Sequence, residues 1–321
     1  MRVFVTGASG RLGRPLVRAL VAAGRSVVGL ARSEAAATAI SADGAAVARG
    51  DLMDEAALAQ GLRGADLVIH LAGGLRGAGA IDAHRLNVDG TEALLRAALA
   101  APQPPRLLFA SSCAVYGDRS GLWVEEDMRL LPHTAYGHAK AEAEARVLAA
   151  AALQPRVARI AAVYGAEFPF LQVERIQAGT AWLPGEGRNV VPTVHVDDAI
   201  AGLLRIAEAG AAGQVYNLAD RAPVPLRELY AAVHAAVGGQ PVRFWSTWIP
   251  SALQHRAATA NERLAAALGR RPRFTPDALK LYTASSRLQT TRLERELSFV
   301  WRHPEPTAGV AQALAAVRRA P

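Results

Sequence analysis

Tyr136 and Lys140 stand one helical turn apart, and they are the side chains best suited by type and spacing to do chemistry. Residues i and i+4 share one face of a helix. The segment from Ala139 to Leu153 is rich in strong helix formers. A free phenol titrates near about 10 and keeps its proton at neutral pH. A nearby ammonium favours the phenolate. Such a pair can hand a proton to a reacting group or take one away. By itself the spacing also fits a solvated helix face. Here it has company about twenty-five residues upstream. Leu107 to Ala110 read as a buried strand that runs into Ser111-Ser112-Cys113. Open α/β sheets bind ligands beyond the carboxyl ends of their strands. A serine there and a Tyr/Lys pair on the next helix can converge on one ligand.

The elements that must position these groups begin at the N-terminus. MRVFVTGASGRLG is a β-branched run breaking into T-G-x-x-G-x-x-G, with Gly7, Gly10 and Gly13. A helical pattern follows in Leu12, Leu16 and Leu20. Strand, glycine loop and helix in that order are the context in which this motif cradles a dinucleotide. Gly7 serves the tight turn, Gly10 the approach of a pyrophosphate, and Gly13 close helix–strand packing. The helix N-terminus supplies unpaired N–H groups and a positive dipole end.

Further strands are expected at Ser26–Ala31, Ala45–Arg49, Asp66–Leu71, Arg106–Ser111 and Arg156–Val163, after a first at Arg2–Thr6. Helical stretches alternate with them. The expected fold is α/β, a doubly wound parallel sheet of the Rossmann type with a smaller C-terminal substrate-binding portion. The division is placed at 1–165 and 166–321, with some later segments returning to the core. Beyond Gly165 the prolines Pro169, Pro184, Pro192, Pro223 and Pro225 punctuate shorter elements, and a helix is expected near Ser251–Leu268.

These residues resemble the extended short-chain dehydrogenases/reductases, also called the NAD-dependent epimerase/dehydratase family. The resemblance spans most of the chain. Besides the glycine loop and Tyr136/Lys140, it includes Gly50-Asp51-Leu52, His70-Leu71-Ala72-Gly73, Asn87-Val88-Asp89-Gly90-Thr91 and Ser111-Ser112-x-x-Val115-Tyr116-Gly117. Val163-Tyr164-Gly165, His195-Val196-Asp197-Asp198-Ala199 and Val215-Tyr216-Asn217-Leu218-Ala219 complete it. It implies Tyr136 as general acid/base, Ser112 as hydrogen-bonding partner of the substrate oxygen, and Lys140 as partner of the phenol and the nicotinamide ribose. Asn87 is implied as structural support or part of a water relay, although its residue type equally suits a helix N-cap. The implied cofactor contacts are Gly7, Ser9, Gly10, Arg11, Leu12 and Gly13, then Arg32, Asp51, Leu52, Leu71, Ala72, Gly73 and Val163, with Tyr136 and Lys140.

The second strand ends Gly29-Leu30-Ala31-Arg32-Ser33, with no acid to pair a ribose 2′-hydroxyl. A guanidinium matches a 2′-phosphate. The expected cofactor is therefore NADP, with NAD as the alternative. The implied C-terminal lid makes Trp182, Trp245 and Trp248 candidate pocket walls, and Arg270 to Thr275 loosely resembles sterol-dehydrogenase-like and flavonol-reductase-like relatives.

Nucleotide-sugar enzymes of this family carry an asparagine shortly before the position of Tyr164. Ala161 and Ala162 stand there instead. Cys113 and Ala114 replace the dehydratase acid pair. The expected activity is a reductase or dehydrogenase acting on a ketone, aldehyde or secondary alcohol. The alternatives are a nucleotide-sugar 4-epimerase and a non-catalytic NADP-binding sensor or assembly subunit.

Composition sets outer bounds. From Pro241 onward there are 13 Lys/Arg against 5 Asp/Glu, so the whole net charge of +8 lies in the last quarter. That fits a solvated basic surface, or attraction of an anionic group. No nucleic-acid-binding fingerprint accompanies it. One cysteine excludes an intrachain disulfide framework, and no His, Asp or Glu spacing suggests a metal. No run of 18 apolar residues or signal-peptide pattern appears. A cytoplasmic enzyme is expected, with a small-molecule substrate and at most a second copy of the chain as partners.

Overall fold

The computed structural model describes residues 1–74, 83–244, 251–268 and 275–315. Seven parallel strands form the central sheet. They are β1 (Arg2–Thr6), β2 (Ser26–Ala31), β3 (Ala46–Arg49), β4 (Leu67–His70), β5 (Arg106–Ser112), β6 (Arg156–Ile160) and β7 (Val215–Leu218). Their order across the sheet is β7-β6-β5-β4-β1-β2-β3. A parallel sheet covered on both faces needs apolar side chains on both sides of each strand. Val3-Phe4-Val5, Leu67-Val68-Ile69 and Leu107-Leu108-Phe109 supply them, all buried.

Two cores follow, one on each face. Leu16, Val17 and Leu20 of the first helix (Gly13–Ala22) pack with Leu203 and Ile206 of helix Val196–Ala209 on one side. Leu58, Leu94 and Val147, from helices Glu55–Leu62, Gly90–Leu99 and Ala135–Ala149, pack on the other. A third core gathers Tyr164, Leu183, Leu229, Tyr230 and Val310 in the later part of the chain. No helix among the described residues is long and apolar enough to cross a membrane.

The winding reverses between β1 and β4, the topological position at which open α/β sheets form a ligand crevice beyond their strands' carboxyl ends. Of the residues expected to hold a cofactor, Gly7, Ser9, Gly10, Arg11 and Leu12 follow β1, and Leu71, Ala72 and Gly73 follow β4.

One strand expectation needs correction, and one strand of the sheet was not expected. The run Arg156–Val163 is not one strand. The Ala161 N–H donates to Leu218 O of β7, at 3.0 Å, and the next amide, Ala162, donates to Pro192 O at 3.0 Å. Consecutive amides serve different neighbours, so the chain leaves the sheet there. Ala162–Tyr164 then pairs with Thr193–His195. β7 itself does not read as a strand in sequence, because Asn217 interrupts its short apolar run. In the fold Asn217 is buried with its amide satisfied. Its Nδ2 donates to Val124 O (3.0 Å) and Gln289 O (3.1 Å), and its Oδ1 accepts from the Tyr116 hydroxyl (2.7 Å). The helix near Ser251–Leu268 is observed at Ser251–Ala267. Trp245, Trp248 and Arg270 to Phe274 lie outside the described residues.

Candidate active site

The glycine loop is built by close backbone contact. Gly7 has φ +71°, and a Cβ on it would lie 2.8 Å from the Ala72 nitrogen and 2.9 Å from the Leu71 carbonyl carbon. The loop after β1 and the loop after β4 therefore meet at Gly7. A Cβ on Gly13 would fall 2.0 Å from Gly7 O and 2.7 Å from Ala8 O. Gly10 N–H closes the turn on Gly7 O at 2.9 Å. Helix Gly13–Ala22 starts at Leu12 with no side-chain cap and no acid in its first turn. Its orphan N–H groups and dipole end suit an anion. Ser9, Arg11 and Leu12 line this start, with Ser9 and Arg11 exposed. Gly13→Ala should cost at least about 1–3 kcal/mol through overpacking against backbone that cannot step aside. A lowered thermal midpoint together with lost dinucleotide binding would show it.

The second half of the site joins β5 to helix Ala135–Ala149. β5 ends at Ser112, whose Oγ accepts from Ala114 N–H at 3.2 Å and caps a short 3₁₀ turn, Cys113–Val115. Thr134 caps the helix, accepting from Gly137 N–H at 3.0 Å. Gly137 allows the helix start to press on that turn, since a Cβ there would stand 2.6 Å from Ala114 O. This contact brings half-buried Tyr136 to Ser112. Burial pushes the Tyr136 phenol up to about 12, and the neighbouring Ser112 hydroxyl pulls the other way. Burial pushes the Lys140 ammonium down to about 7, opposed by Glu144. Its Nζ lies 4.1 Å from the centre of the Phe109 ring.

Lys140 and Asn87 meet at Gly73. A Cβ on Gly73 would lie 2.6 Å from Asn87 Oδ1 and 3.7 Å from Lys140 Nζ. Asn87 is not a helix N-cap. It sits within a π-helical turn, Arg85–Asp89, and holds the loop after β4. Its Nδ2 donates to Ala83 O (2.9 Å) and Gly74 O (3.3 Å), while its Oδ1 accepts from Gly74 N–H (3.3 Å).

Beneath it runs a chain of bonds that sequence reasoning missed. Thr91 Oγ1 donates to Asn87 O at 2.6 Å, so His70 Nε2 must donate to Thr91 Oγ1 at 2.9 Å. The neutral imidazole then accepts at Nδ1 from Thr6 Oγ1 at 2.6 Å. Thr6 Oγ1 in turn accepts from Ala72 N–H at 3.3 Å. Burial holds His70 down at about 3, so it stays neutral. The histidine thus locks both crevice loops together as a structural group.

A second buried network lies behind Lys140. Glu144 accepts from Ser111 Oγ at 2.6 Å and from Arg159 Nη2 at 2.5 Å. Arg159 Nη1 donates to the Tyr116 hydroxyl and to Glu126 O, both at 2.7 Å. Burial works against the guanidinium's charge, but Glu144 and Tyr116 overcome it and hold Arg159 above its ordinary value. The available signals were an arginine inside an apolar strand and a glutamate one turn beyond Lys140. Helix Pro276–Thr283 adds a clamp. Asp277 Oδ2 accepts from Ala135 N–H, and Lys280 Nζ donates to His133 O, each at 2.8 Å.

The remaining expected contacts stand at the crevice edge. Arg32 is exposed at the tip of β2 and makes no hydrogen bond or ion pair with the described residues. Glu34, the acid nearest that tip, begins the following helix and is held by Arg49. Gly50 N–H donates to Ala31 O at 3.0 Å, which sets exposed Asp51 beside the tip. Leu52 is buried against Gly90. Val163 is half-buried on the small Ala162–Tyr164 strand. Trp182 is 45% exposed, with Arg243 over its ring at 5.6 Å, so it is no sealed pocket wall. Burial pushes the Cys113 thiol up to about 11, which fits a packing residue rather than a nucleophile.

Folding also gathers His195, Asp197 and His303, whose donor atoms lie within 4.8 Å of one another. Sequence spacing could not show this, since His303 is remote. His195 Nδ1 already accepts from Asp197 N–H at 3.1 Å, which occupies the lone pair facing Asp197.

The profile of the NAD dependent epimerase/dehydratase family matches residues 3–219. A ketoreductase of Stigmatella aurantiaca, named for 4-hydroxy-2-methyl-3-oxo-4-farnesyl-3,4-dihydroquinoline-1-oxide, is 40% identical over 258 residues, 75% of this chain and 76% of that one. The 2-alkyl-3-oxoalkanoate reductase of Stenotrophomonas maltophilia is 33% identical over 267 residues, 75% and 77% of the two chains. The dTDP-glucose 4,6-dehydratase of Streptomyces venezuelae, solved with NAD bound, superposes with a TM-score of 0.80 at 26% identity, covering 99% of this chain and 97% of that one.

Proposed function

The chain belongs to the NAD-dependent epimerase/dehydratase family and is an enzyme of the extended short-chain dehydrogenase/reductase type; from that premise we propose that it reduces a hydrophobic ketone or aldehyde with NADPH, using Tyr136 as the proton donor. The observation that carries this reading is that the helix bearing Tyr136 and Lys140 one turn apart presses on the turn capped by Ser112, with Lys140 beside Gly73.

The crevice fits a dinucleotide. Gly7, Gly10 and Gly13 leave backbone where side chains would intrude, and the uncapped start of helix Gly13–Ala22 faces the space a pyrophosphate needs. Lys140 and Gly73 would hold the nicotinamide end, and Asp51 and Leu52 the adenosine end. When bound, the reduced nicotinamide supplies the hydride. Ser112 Oγ spends its acceptor side on Ala114 N–H, which leaves its hydroxyl proton for a carbonyl oxygen or the phenol. A phenol pushed up to about 12 is protonated at neutral pH, so it donates as the carbonyl is reduced. Ser112 lowers the cost of the phenolate left behind.

Support for the substrate class comes from Ala161 and Ala162, where a sugar-nucleotide enzyme would present an amide. It comes also from two relatives named as reductases of oxo compounds. The likeness to a dTDP-glucose dehydratase favours a second reading, a nucleotide-sugar 4-epimerase. Net NADPH consumption separates the two, because an epimerase restores its cofactor within each cycle.

Arg32 is proposed to select NADP. It is exposed and makes no hydrogen bond or ion pair with the described residues, and Glu34, two positions on, is held by Arg49. Arg32→Ala should weaken NADPH binding by about ten- to a hundredfold, the size of one charge-assisted hydrogen bond, with little effect on NADH. Fluorescence titration of both cofactors measures it. Equal losses for the two would remove the role.

A further inference from the structure

We infer that Ser111 and Glu144 are positioning residues, whose hydrogen bond ties the strand ending in Ser112 to the helix carrying Tyr136 and Lys140. The inference rests on Ser112 and Tyr136 acting as proposed above. Ser111 precedes Ser112 on β5, and Glu144 lies one turn beyond Lys140 and two beyond Tyr136. The 2.6 Å bond joins side chains that are 4% and 2% exposed. It therefore acts without competition from water.

The proton-transfer groups sit on two separate elements. Apolar packing holds such elements together but tolerates sliding, as side chains of similar volume repack. A short, directional bond to a carboxylate does not tolerate it. Arg159 holds the other side of that carboxylate, with Nε at 3.1 Å from Oε1 and Nη2 at 2.5 Å. Arg159 is itself fixed by the Tyr116 hydroxyl and Glu126 O. Glu144 is thus pinned from β5 and β6 together, and its helix cannot rotate or slip without breaking a buried bond. Buried ion pairs often add little stability relative to apolar replacements. A linkage of this kind at this place is better accounted for by position than by stability. A misplacement of about 1 Å between reacting groups can cost on the order of a hundredfold in rate.

The test uses the full-length enzyme with NADPH and a hydrophobic ketone, comparing Ser111→Ala, Ser111→Thr, Glu144→Asp and Tyr136→Phe. Thermal melting and NADPH titration measure folding and cofactor affinity. With tyrosine labelled at Cζ with carbon-13, the Tyr136 signal is assigned by its loss in Tyr136→Phe. Ser111→Ala should fold and bind NADPH nearly as wild type, lose about ten- to a hundredfold in turnover, and shift or broaden the Tyr136 signal. Glu144→Asp keeps a charge near Arg159 but withdraws it from Ser111, and should show the same pattern. Ser111→Thr restores the hydroxyl and should recover both rate and signal. The inference is overturned if Ser111→Ala keeps wild-type turnover with an unmoved signal, or loses activity only in step with the folded fraction. Tyr136→Phe tells the two failures apart. If it is inactive while Ser111→Ala is normal, only the positioning role falls. If it retains full activity, the proposed chemistry falls first.

Discussion

Tyr136→Phe is expected to lower turnover by about 10²–10⁴-fold, the usual contribution of a positioned general acid. Cofactor affinity should barely change, because the ring stays and only the hydroxyl leaves. The geometry gives the reason. The phenol stands against Ser112 and is pushed up to about 12, so it carries a proton at neutral pH. The neighbouring His70 and Cys113 are not set to replace it. His70 is neutral with both ring nitrogens engaged, and the Cys113 thiol is pushed up to about 11. Steady-state rates with NADPH and a hydrophobic ketone measure the effect. A variant within a few-fold of wild type would remove Tyr136 from the chemistry.

Arg159→Met should destabilise the fold by about 3–5 kcal/mol, because it leaves the Glu144 carboxylate buried without its counter-charge. The 5% and 2% exposures of the two side chains leave water little access to compensate. Tyr116 and Glu126 lose a donor in the same step. Pairing the change with Glu144→Leu should recover much of the loss, since an apolar pair needs no counter-charge. Urea unfolding of the single and double variants measures both. A single variant as stable as wild type would mean that the pair is not closed to solvent.

Much of this arrangement is legible before folding is considered. The glycine spacing, the alternation of apolar runs with helical stretches and the Tyr136/Lys140 pair are local patterns, and local patterns place the crevice and the helix beside it. What stays hidden is set by contacts between remote segments. The Thr6–His70–Thr91 chain joins residues 64 and 21 positions apart. Asp277 reaches Ala135 across 142 positions. Arg159 looks like an anomaly in an apolar strand until Glu144 is found opposite it. β7 hides because Asn217, a poor strand residue by type, is satisfied by partners from three other segments. The bounds of Arg156–Val163 fail for a related reason, since only the fold shows Ala162 turning to Pro192. Substrate choice is least legible, because the shorter elements after Gly165 carry no local pattern as specific as the glycine loop.

Transfer of label from NADPH deuterated at nicotinamide C4 is the measurement closest to the central claim. The enzyme is given a hydrophobic 3-oxo compound and, separately, a UDP-hexose. The account predicts deuterium on the new carbinol carbon, one NADPH consumed for each alcohol formed, and no conversion of the sugar nucleotide. Interconversion of the UDP-hexose with no net loss of cofactor, and no reduction of the ketone, would contradict it.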